Sequence, residues 1–561
     1  MSAKSILLAS VAGVVLGMAP LTASAGDKTL VRIATMPDGA EVTGLSTNAL
    51  GELFLNAQHP GGKNTFRDDA PPALVGYVAG FDAATATSME LPAEDMRTKM
   101  GVTNGEYVTF AKAGDTLGDG KTFGGVYNTK GELMYVSNTP DFNGFIPLSD
   151  SSAYLYTGWE GAGRDGASTI TRLALERVGD KWQSNLAQSK VLDLSSIQGG
   201  NVLCSGVVTP WGTPLLAEEY FFYNTALWNH PNNNDEDERA SFQKGNDNTY
   251  IKPVSMSHYL GKLSNPYQYG YLIEIKNPTG DEQLVKHYAT GRLSHETAAI
   301  MPDNRTLYMT DDDSGAYADA AYNSASGGVL FKFIADTAGD LSSGTLFAAK
   351  MVQDAEDDPN KAGFDITWVE LGHANNAEIA GWIAEYDSVT VADYVEGQTN
   401  YVTEDQIRAH AAGNAPDARA AFLESRRTAA AMGATNEWDK LEGITNHGKT
   451  VYIGASGIAF TMDKSWGHLD WATGAKDEAN AGAIALNAES CGATYVAQAG
   501  DDFNITRIDP YVVGKTTPEG ACDINLPANP DNILALNDGT LLIGEDAGSK
   551  KHPLDMLWMV K

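Results

Sequence analysis

The chain has 561 residues and a formal net charge of −33, with 72 acidic against 39 basic side chains. Such a balance excludes a nucleic-acid backbone as the natural partner, because phosphate tracking needs stripes of Lys and Arg. No stretch reaches the ~20 apolar residues of a spanning helix.

The first residues read as an export signal over 1–25. Lys4 gives the positive start, Ile6 to Met18 the apolar stretch, and Ala23-Ser24-Ala25 a small-residue cleavage site. The remainder, 26–561, is expected to form one domain in a periplasmic or secreted setting. Its 58 Gly and 23 Tyr, with many Thr and Val, suit short strands joined by tight turns. Cys491 and Cys522 flank a Gly/Asp-rich loop and can close a disulfide in an oxidising compartment, which leaves Cys204 as the odd thiol.

Six segments repeat one pattern: a polar or acidic residue, small or branched residues, a turn, then a β-run ending in acid, amide or small groups. In chain order they are EVTGLSTNALGELFLNAQ from Glu41, TFGGVYNTKGELMYVSN from Thr122 and CSGVVTPWGTPLLAEE from Cys204. ETAAIMPDNRTLYMTDDD follows from Glu296, EGITNHGKTVYIGAS from Glu442 and DNILALNDGTLLIGED from Asp531. Each reads as a hairpin, and hairpins repeating at long, fairly even spacing are the mark of a propeller. The expected fold is therefore all-β: a six-bladed β-propeller whose ring is closed by strands from both chain ends. Two insertions interrupt the pattern. Asn224 to Lys252 is Asn/Asp-rich and reads as a solvated loop. Residues 402–432 are Ala-rich with helical spacing, and one or two helices there are expected to cap one face.

In a propeller the start of each innermost strand lines the central channel. The aligned first positions are Glu41, Cys204, Glu296, Glu442 and Asp531, and the hairpins end in Glu218, Glu219, Asp311, Asp312, Asp313, Glu545 and Asp546. Carboxylates converging on one axis repel one another and lose solvation, and metal cations are the simplest remedy. Many hard oxygens suit calcium, while a thiolate among them suggests a transition metal as well. There is no G-x-S-x-G, P-loop or HExxH pattern. His59 and His295 are candidates for a supporting or proton-donating role, and Trp211 reads as a core aromatic.

Three phrases then carry a resemblance. CSGVVTPWGTPLLAEEYF, YGYLIEIKNPTG followed by GRLSHETAAI, and FLESRRTAAAMGATNEWDKLEGI resemble, in the right order, segments of the PhoX-type alkaline phosphatases. The phrase GAEVTGLSTNALGELFLNAQHPGG also resembles a family segment, one that lies near the C-terminus in relatives. A closed ring tolerates that shift. The resemblance implies a propeller whose channel holds Fe3+ and Ca2+ bridged by an oxo group, and an enzyme that releases phosphate from small phosphoesters outside the cytoplasm. The protein is expected to be a monomer, although no motif in the sequence bears on its oligomeric state. Carried over by position, Cys204 would be the thiolate ligand to iron, with Glu296 and Glu442 as iron-side carboxylates. Glu218, Glu219 and one of Asp311 to Asp313, Asp312 foremost, would belong to the calcium side or to the groups that support it. The family's Arg-Pro before the glutamate reads Lys440-Leu441 here, which exchanges a bidentate fork for a flexible point charge. The export signal also lacks the family's twin arginine, which implies ordinary secretion. Two other readings fit an acidic channel: a calcium-dependent propeller lactonase or esterase, which needs no thiolate, and a binding propeller without catalysis.

Overall fold

A computed structural model describes residues 28–66, 70–161, 166–219, 225, 228–229, 255–313, 327–469, 476–477 and 482–561. Residues 1–25, read above as an export signal, and most of the Asn/Asp-rich insertion lie outside the described residues.

The strands fold back on themselves in antiparallel meanders of four. Their innermost strands are Glu41–Thr47, Pro140–Ser149, Leu203–Val208, His295–Ile300, Leu441–His447 and Pro530–Ala535. Each innermost strand packs against the next in this order, and the last packs against the first, so the meanders stand radially around one axis. The molecule is an all-β propeller. Two of the meanders join edge to edge through the strand Phe364–Asn375, whose Phe364 and Asp365 pair with Ile508 and Arg507.

Strands from both chain ends close the ring. Leu30–Thr35 pairs antiparallel with Met556–Val560 in the register Leu30↔Val560 and Val31↔Met559. An N-terminal strand thus finishes the meander that Pro530–Ala535 begins.

The repeat read from Thr122 is a hairpin, but it does not line the axis. Its strands Gly125–Tyr127 and Leu133–Val136 form a separate two-stranded sheet. The inner position belongs to the next hairpin, Pro140–Ser149 with Ser152–Trp159. Burial decides between them: Pro140 to Ile146 are all buried, whereas Leu133 to Val136 are exposed or half-buried.

The Ala-rich insertion forms three short helices, Glu404–Ala411, Arg419–Leu423 and Ser425–Ala431, where one or two were expected. Thr403 and Gln406 make a capping box at the first. A further helix, Asn376–Ala384, begins at a second capping box formed by Asn375 and Glu378. Ile379, Ile383, Ile407, Phe422 and Leu423 pack into one core with Leu307, Phe331 and Leu346 of the adjoining meander. This packing brings Arg426 to the end of the strand Thr306–Asp311, where it binds Asp311 and Asp313.

Candidate metal centre in the channel

The start of each inner strand delivers one ionisable side chain: Glu41, Asp141, Cys204, Glu296, Glu442 and Asp531, all buried. A recurrent backbone irregularity aims them. The ladder skips across Asp141, Cys204, Glu296, Glu442 and Asp531, because the preceding residue is paired and pairing resumes beyond the acid or thiol. A bulge of this kind turns a side chain out of the strict in-out alternation. Two positions ahead of four of these side chains the backbone has positive φ, at Gly39 (67°), Val202 (46°), Lys440 (52°) and Asn529 (44°). Glycine takes this conformation freely; for a β-branched residue such as Val202 it costs on the order of 1–3 kcal/mol.

The side chains meet in overlapping groups whose potential ligand atoms lie within 4.8 Å of one another. These are Asp141, Cys204 and Glu296; Glu160, Cys204 and Glu219; Glu296, Glu442 and Asp531; and Glu41, Asp531 and Asp546. Cys204 Sγ stands 3.4 Å from both Asp141 Oδ2 and Glu160 Oε1. Gln58 Nε2 donates to Asp141 Oδ2 (3.0 Å) and Asn532 Nδ2 to Asp141 Oδ1 (3.2 Å). Ser456 Oγ donates to Glu442 Oε1 (3.0 Å). Lys440 brings a cation to the group, with Nζ 2.7 Å from Glu442 Oε1 and 3.9 Å from Asp312 Oδ2. His59 Nδ1 donates to Gly39 O (3.0 Å), which leaves Nε2 3.1 Å from Glu41 Oε2.

Burial first, then repulsion from neighbouring carboxylates, pushes Glu41, Glu160, Glu219 and Glu296 well above the usual carboxylate range. Glu442 moves the same way, although Lys440 opposes the shift. Asp531 is pushed up to about 7, and the Cys204 thiol is raised by burial and by Asp141 and Glu296. Burial works against the Lys440 charge, but Glu442 and Asp312 outweigh it and hold the ammonium well above its ordinary value.

The residues singled out from sequence fall into two sets. Cys204, Glu219, Glu296 and Glu442 stand together in the channel, with Asp312 beside Glu219 and Lys440. Glu218 is turned away from them. Its Oε1 accepts from Asn201 N (3.0 Å) and Lys286 Nζ (2.9 Å), and its Oε2 from Gly270 N (3.0 Å) and Tyr271 N (3.1 Å). In a strand neighbouring residues face opposite sides, so only one of Glu218 and Glu219 can enter the channel. His295 is buried, with Nε2 3.0 Å from Gly291 O, and burial lowers it to about 4, which leaves a neutral ring. Trp211 is half-buried and donates from Nε1 to Glu274 Oε1 (2.8 Å).

Sequence reasoning missed Asp141 and Glu160. The signal was present: DFNGFIPLSDSSAYLYTGWE begins and ends with an acid around a Ser-rich turn, which is the same pattern as the other hairpins. The stronger Asn/Gly turn of the preceding segment drew the repeat onto the wrong pair of strands.

The donor set fits metal ions. Among the described residues, Glu296 Oε1 and Asp531 Oδ1 are buried carboxylate oxygens with no hydrogen-bond partner. Leaving a buried carboxylate oxygen unsatisfied costs about 1–3 kcal/mol or more, and a cation would satisfy both atoms. One thiol among hard oxygens gives sites of two characters: a mixed set at Cys204 and an all-oxygen set at Glu41, Asp531 and Asp546.

The comparisons agree with this architecture. The solved structure of Pseudomonas fluorescens PhoX in complex with vanadate, a transition state analogue, is similar at a TM-score of 0.52 and 16% identity, covering 92% of this chain and 84% of that chain. A glucose dehydrogenase crystal structure aligns over 95% of this chain and 99% of that chain, at 9% identity and a TM-score of 0.36 that carries no argument. No curated protein matches. The family profile described as alkaline phosphatase PhoX matches residues 176–559, from the last strands of the second meander to the end of the last. This chain belongs to the PhoX alkaline phosphatase family.

Proposed function

We propose that this protein is a metal-dependent alkaline phosphatase that hydrolyses small phosphoesters outside the cytoplasm, with iron and calcium held in the channel. The observation that carries the reading is the convergence of Cys204 with Asp141, Glu160, Glu219 and Glu296 at the propeller axis. A thiolate in that company favours iron near Cys204, with Glu296 and Glu442 as its carboxylate side. The hard-oxygen trio Glu41, Asp531 and Asp546 favours calcium, as do Glu219 and Asp312. Glu218, saturated by four donors, supports the site rather than binding an ion. The cations, when bound, would polarise the phosphoryl group and offset the charge that builds during transfer.

Lys440 is the protein's own contribution to substrate binding. Its side chain is 38% exposed, and its ammonium can shift from Glu442 to a phosphoryl oxygen. Two hydroxyls beside the cluster are otherwise engaged, Ser456 with Glu442 and Ser205 with Asn532 (3.4 Å). We take water as the attacking group. Carboxyls and a thiol must give up their protons to bind cations, so metal loading is favoured as pH rises. We read the six meanders as six blades, 26–561 as one catalytic domain and the protein as a monomer. The disulfide Cys491–Cys522 supports an oxidising, exported location.

The test is metal content and p-nitrophenyl phosphate hydrolysis on one purified, exported sample. Iron with calcium, and alkaline turnover that a calcium chelator removes, is the expected result. Calcium alone with no turnover on mono- or diesters would overturn the reading and leave a lactonase or binding propeller.

A further inference from the structure

The meanders beginning at Leu203, His295 and Pro530 share a construction that explains how pairs of channel side chains are delivered together. The second strand of each ends in an acidic doublet: Glu218-Glu219, Asp311-Asp312 and Glu545-Asp546. The second acid belongs to the channel: Glu219 beside Cys204, Asp312 beside Lys440, and Asp546 beside Glu41 and Asp531. The first acid is fully buried in all three (0% exposed) and points elsewhere.

Its carboxylate grips the loop that leads into the same meander's inner strand. Glu218 Oε1 accepts from Asn201 N (3.0 Å), just ahead of Cys204. Asp311 Oδ1 accepts from Ser294 N (2.9 Å), just ahead of Glu296. Glu545 Oε1 accepts from Ala528 N (2.9 Å), just ahead of Asp531. The channel acid returns a bond from its own backbone: Glu219 N donates to Val202 O (2.8 Å), Asp312 N to Ser294 O (2.9 Å) and Asp546 N to Asn529 O (3.2 Å). The backbone half also occurs at Glu160 N to Thr139 O (2.9 Å) and Ser456 N to Lys440 O (3.0 Å), but there the preceding residues are Trp159 and Ala455. The carboxylate half is thus an addition in three of the meanders.

Each first acid also has its own basic partner. Lys286 Nζ donates to Glu218 (2.9 Å), Arg426 Nε to Asp311 Oδ2 (2.6 Å), and His552 Nδ1 lies 3.0 Å from Glu545 Oε2. Trp558 Nε1 and Met556 N complete Glu545 at 2.6 and 3.0 Å. A carboxylate paired with its own basic group adds little repulsion to the channel, and the four donors around Glu218 and around Glu545 leave those two no lone pair to spare for an ion.

We propose that Glu218, Asp311 and Glu545 are positioning residues for the metal centre. Each clasps the lead-in loop so that two side chains of its blade reach the channel in fixed relation: Cys204 with Glu219, Glu296 with Asp312, and Asp531 with Asp546. The inference rests on the reading that the channel acids bind metal. Groups supporting metal ligands in this way typically change affinity by about 10–100-fold when removed.

Glu274 supplies the control. It is another buried carboxylate paired with a histidine, His287 Nε2 at 2.8 Å, but its further partner Thr213 lies at the turn end of its hairpin, away from the channel side chains. The experiment is calorimetric titration of metal-stripped protein with calcium alone, beside melting temperature, for wild type, Glu545→Gln and Glu274→Gln. Both variants lower the melting temperature, but only Glu545→Gln weakens calcium binding, by about 10–100-fold. Calcium binding by Glu545→Gln at wild-type strength, or an equal loss in Glu274→Gln, would overturn the proposal. Should Glu545→Gln not fold, His552→Gln removes one partner and is expected to weaken binding in the same direction; unchanged affinity there overturns it too. Wild-type protein that takes up no calcium overturns this proposal together with the functional reading, whereas a variant-specific failure leaves that reading standing.

Discussion

Lys440 Nζ lies 2.7 Å from Glu442 Oε1, and the two residues flank Leu441 at the start of one inner strand. The backbone at Lys440 has a φ of 52°, which turns its side chain toward the same space as that of Glu442. A lysine therefore stands where the family resemblance leads one to expect an arginine. We predict that Lys440→Met lowers kcat/KM on p-nitrophenyl phosphate by about 10²-fold, the scale of losing one donor to a developing anion. Lys440→Arg should retain activity or raise it, because a guanidinium fork matches two phosphoryl oxygens. Steady-state kinetics of both variants with equal metal content checks the assignment.

Cys204 separates the phosphatase reading from the lactonase reading. Replacing the thiol with a hydroxyl, Cys204→Ser, should remove iron and phosphatase turnover while calcium is retained at the Glu41, Asp531 and Asp546 side. Elemental analysis of wild type and variant is the direct measurement. Iron retained in full would place it elsewhere.

The disulfide between Cys491 and Cys522 spans 31 positions and ties the residues just before the strand Ala493–Gln498 to the loop that leads into the last meander. Asn529 N donates to Cys491 O (2.8 Å), so this link borders the loop that leads to Asp531. Loop-closure entropy for a loop of this size is worth ~3–4 kcal/mol. The double variant Cys491→Ala/Cys522→Ala should show a lowered melting temperature by calorimetry, and a reducing agent should lower the wild type to the same value.

Glu274 gives a signature in acid. Burial raises its pKa, but hydrogen bonds from His287, Thr213 and Trp211 outweigh burial and bring it down to about 2. The unfolded chain binds the proton more readily, so the stability this group contributes is present above about 4.5 and is lost as pH falls toward 2. Urea unfolding between pH 5 and pH 2 should show wild type losing stability faster than Glu274→Gln.

The sequence made much of this legible, for identifiable reasons. Five of the six hairpin starts, at Glu41, Cys204, Glu296, Glu442 and Asp531, line the axis, because alternation and turn residues are local features. The remaining hairpin was misplaced because TFGGVYNTKGELMYVSN carries a better turn than the Ser-rich one after Asp141, and burial, which decided the matter, is not local. Glu218 could not be told from Glu219 by type alone. Their difference lies in Lys286 and in the Gly270 and Tyr271 amides, brought in from a distant part of the chain. The helix Asn376–Ala384 escaped notice because its capping signal, Asn375 with Glu378, stands at the end of a long strand.

The seam of the ring has a consequence for how the circle is held shut. Glu41 belongs to the first meander, while Asp531 and Asp546 belong to the last, which the N-terminal strand Leu30–Thr35 completes. That trio therefore spans a seam between two meanders far apart in sequence. It cannot assemble until the ring closes, and an ion held there would bridge two meanders that are neighbours only through closure. Ion capture at this corner would act as a clasp on the circle.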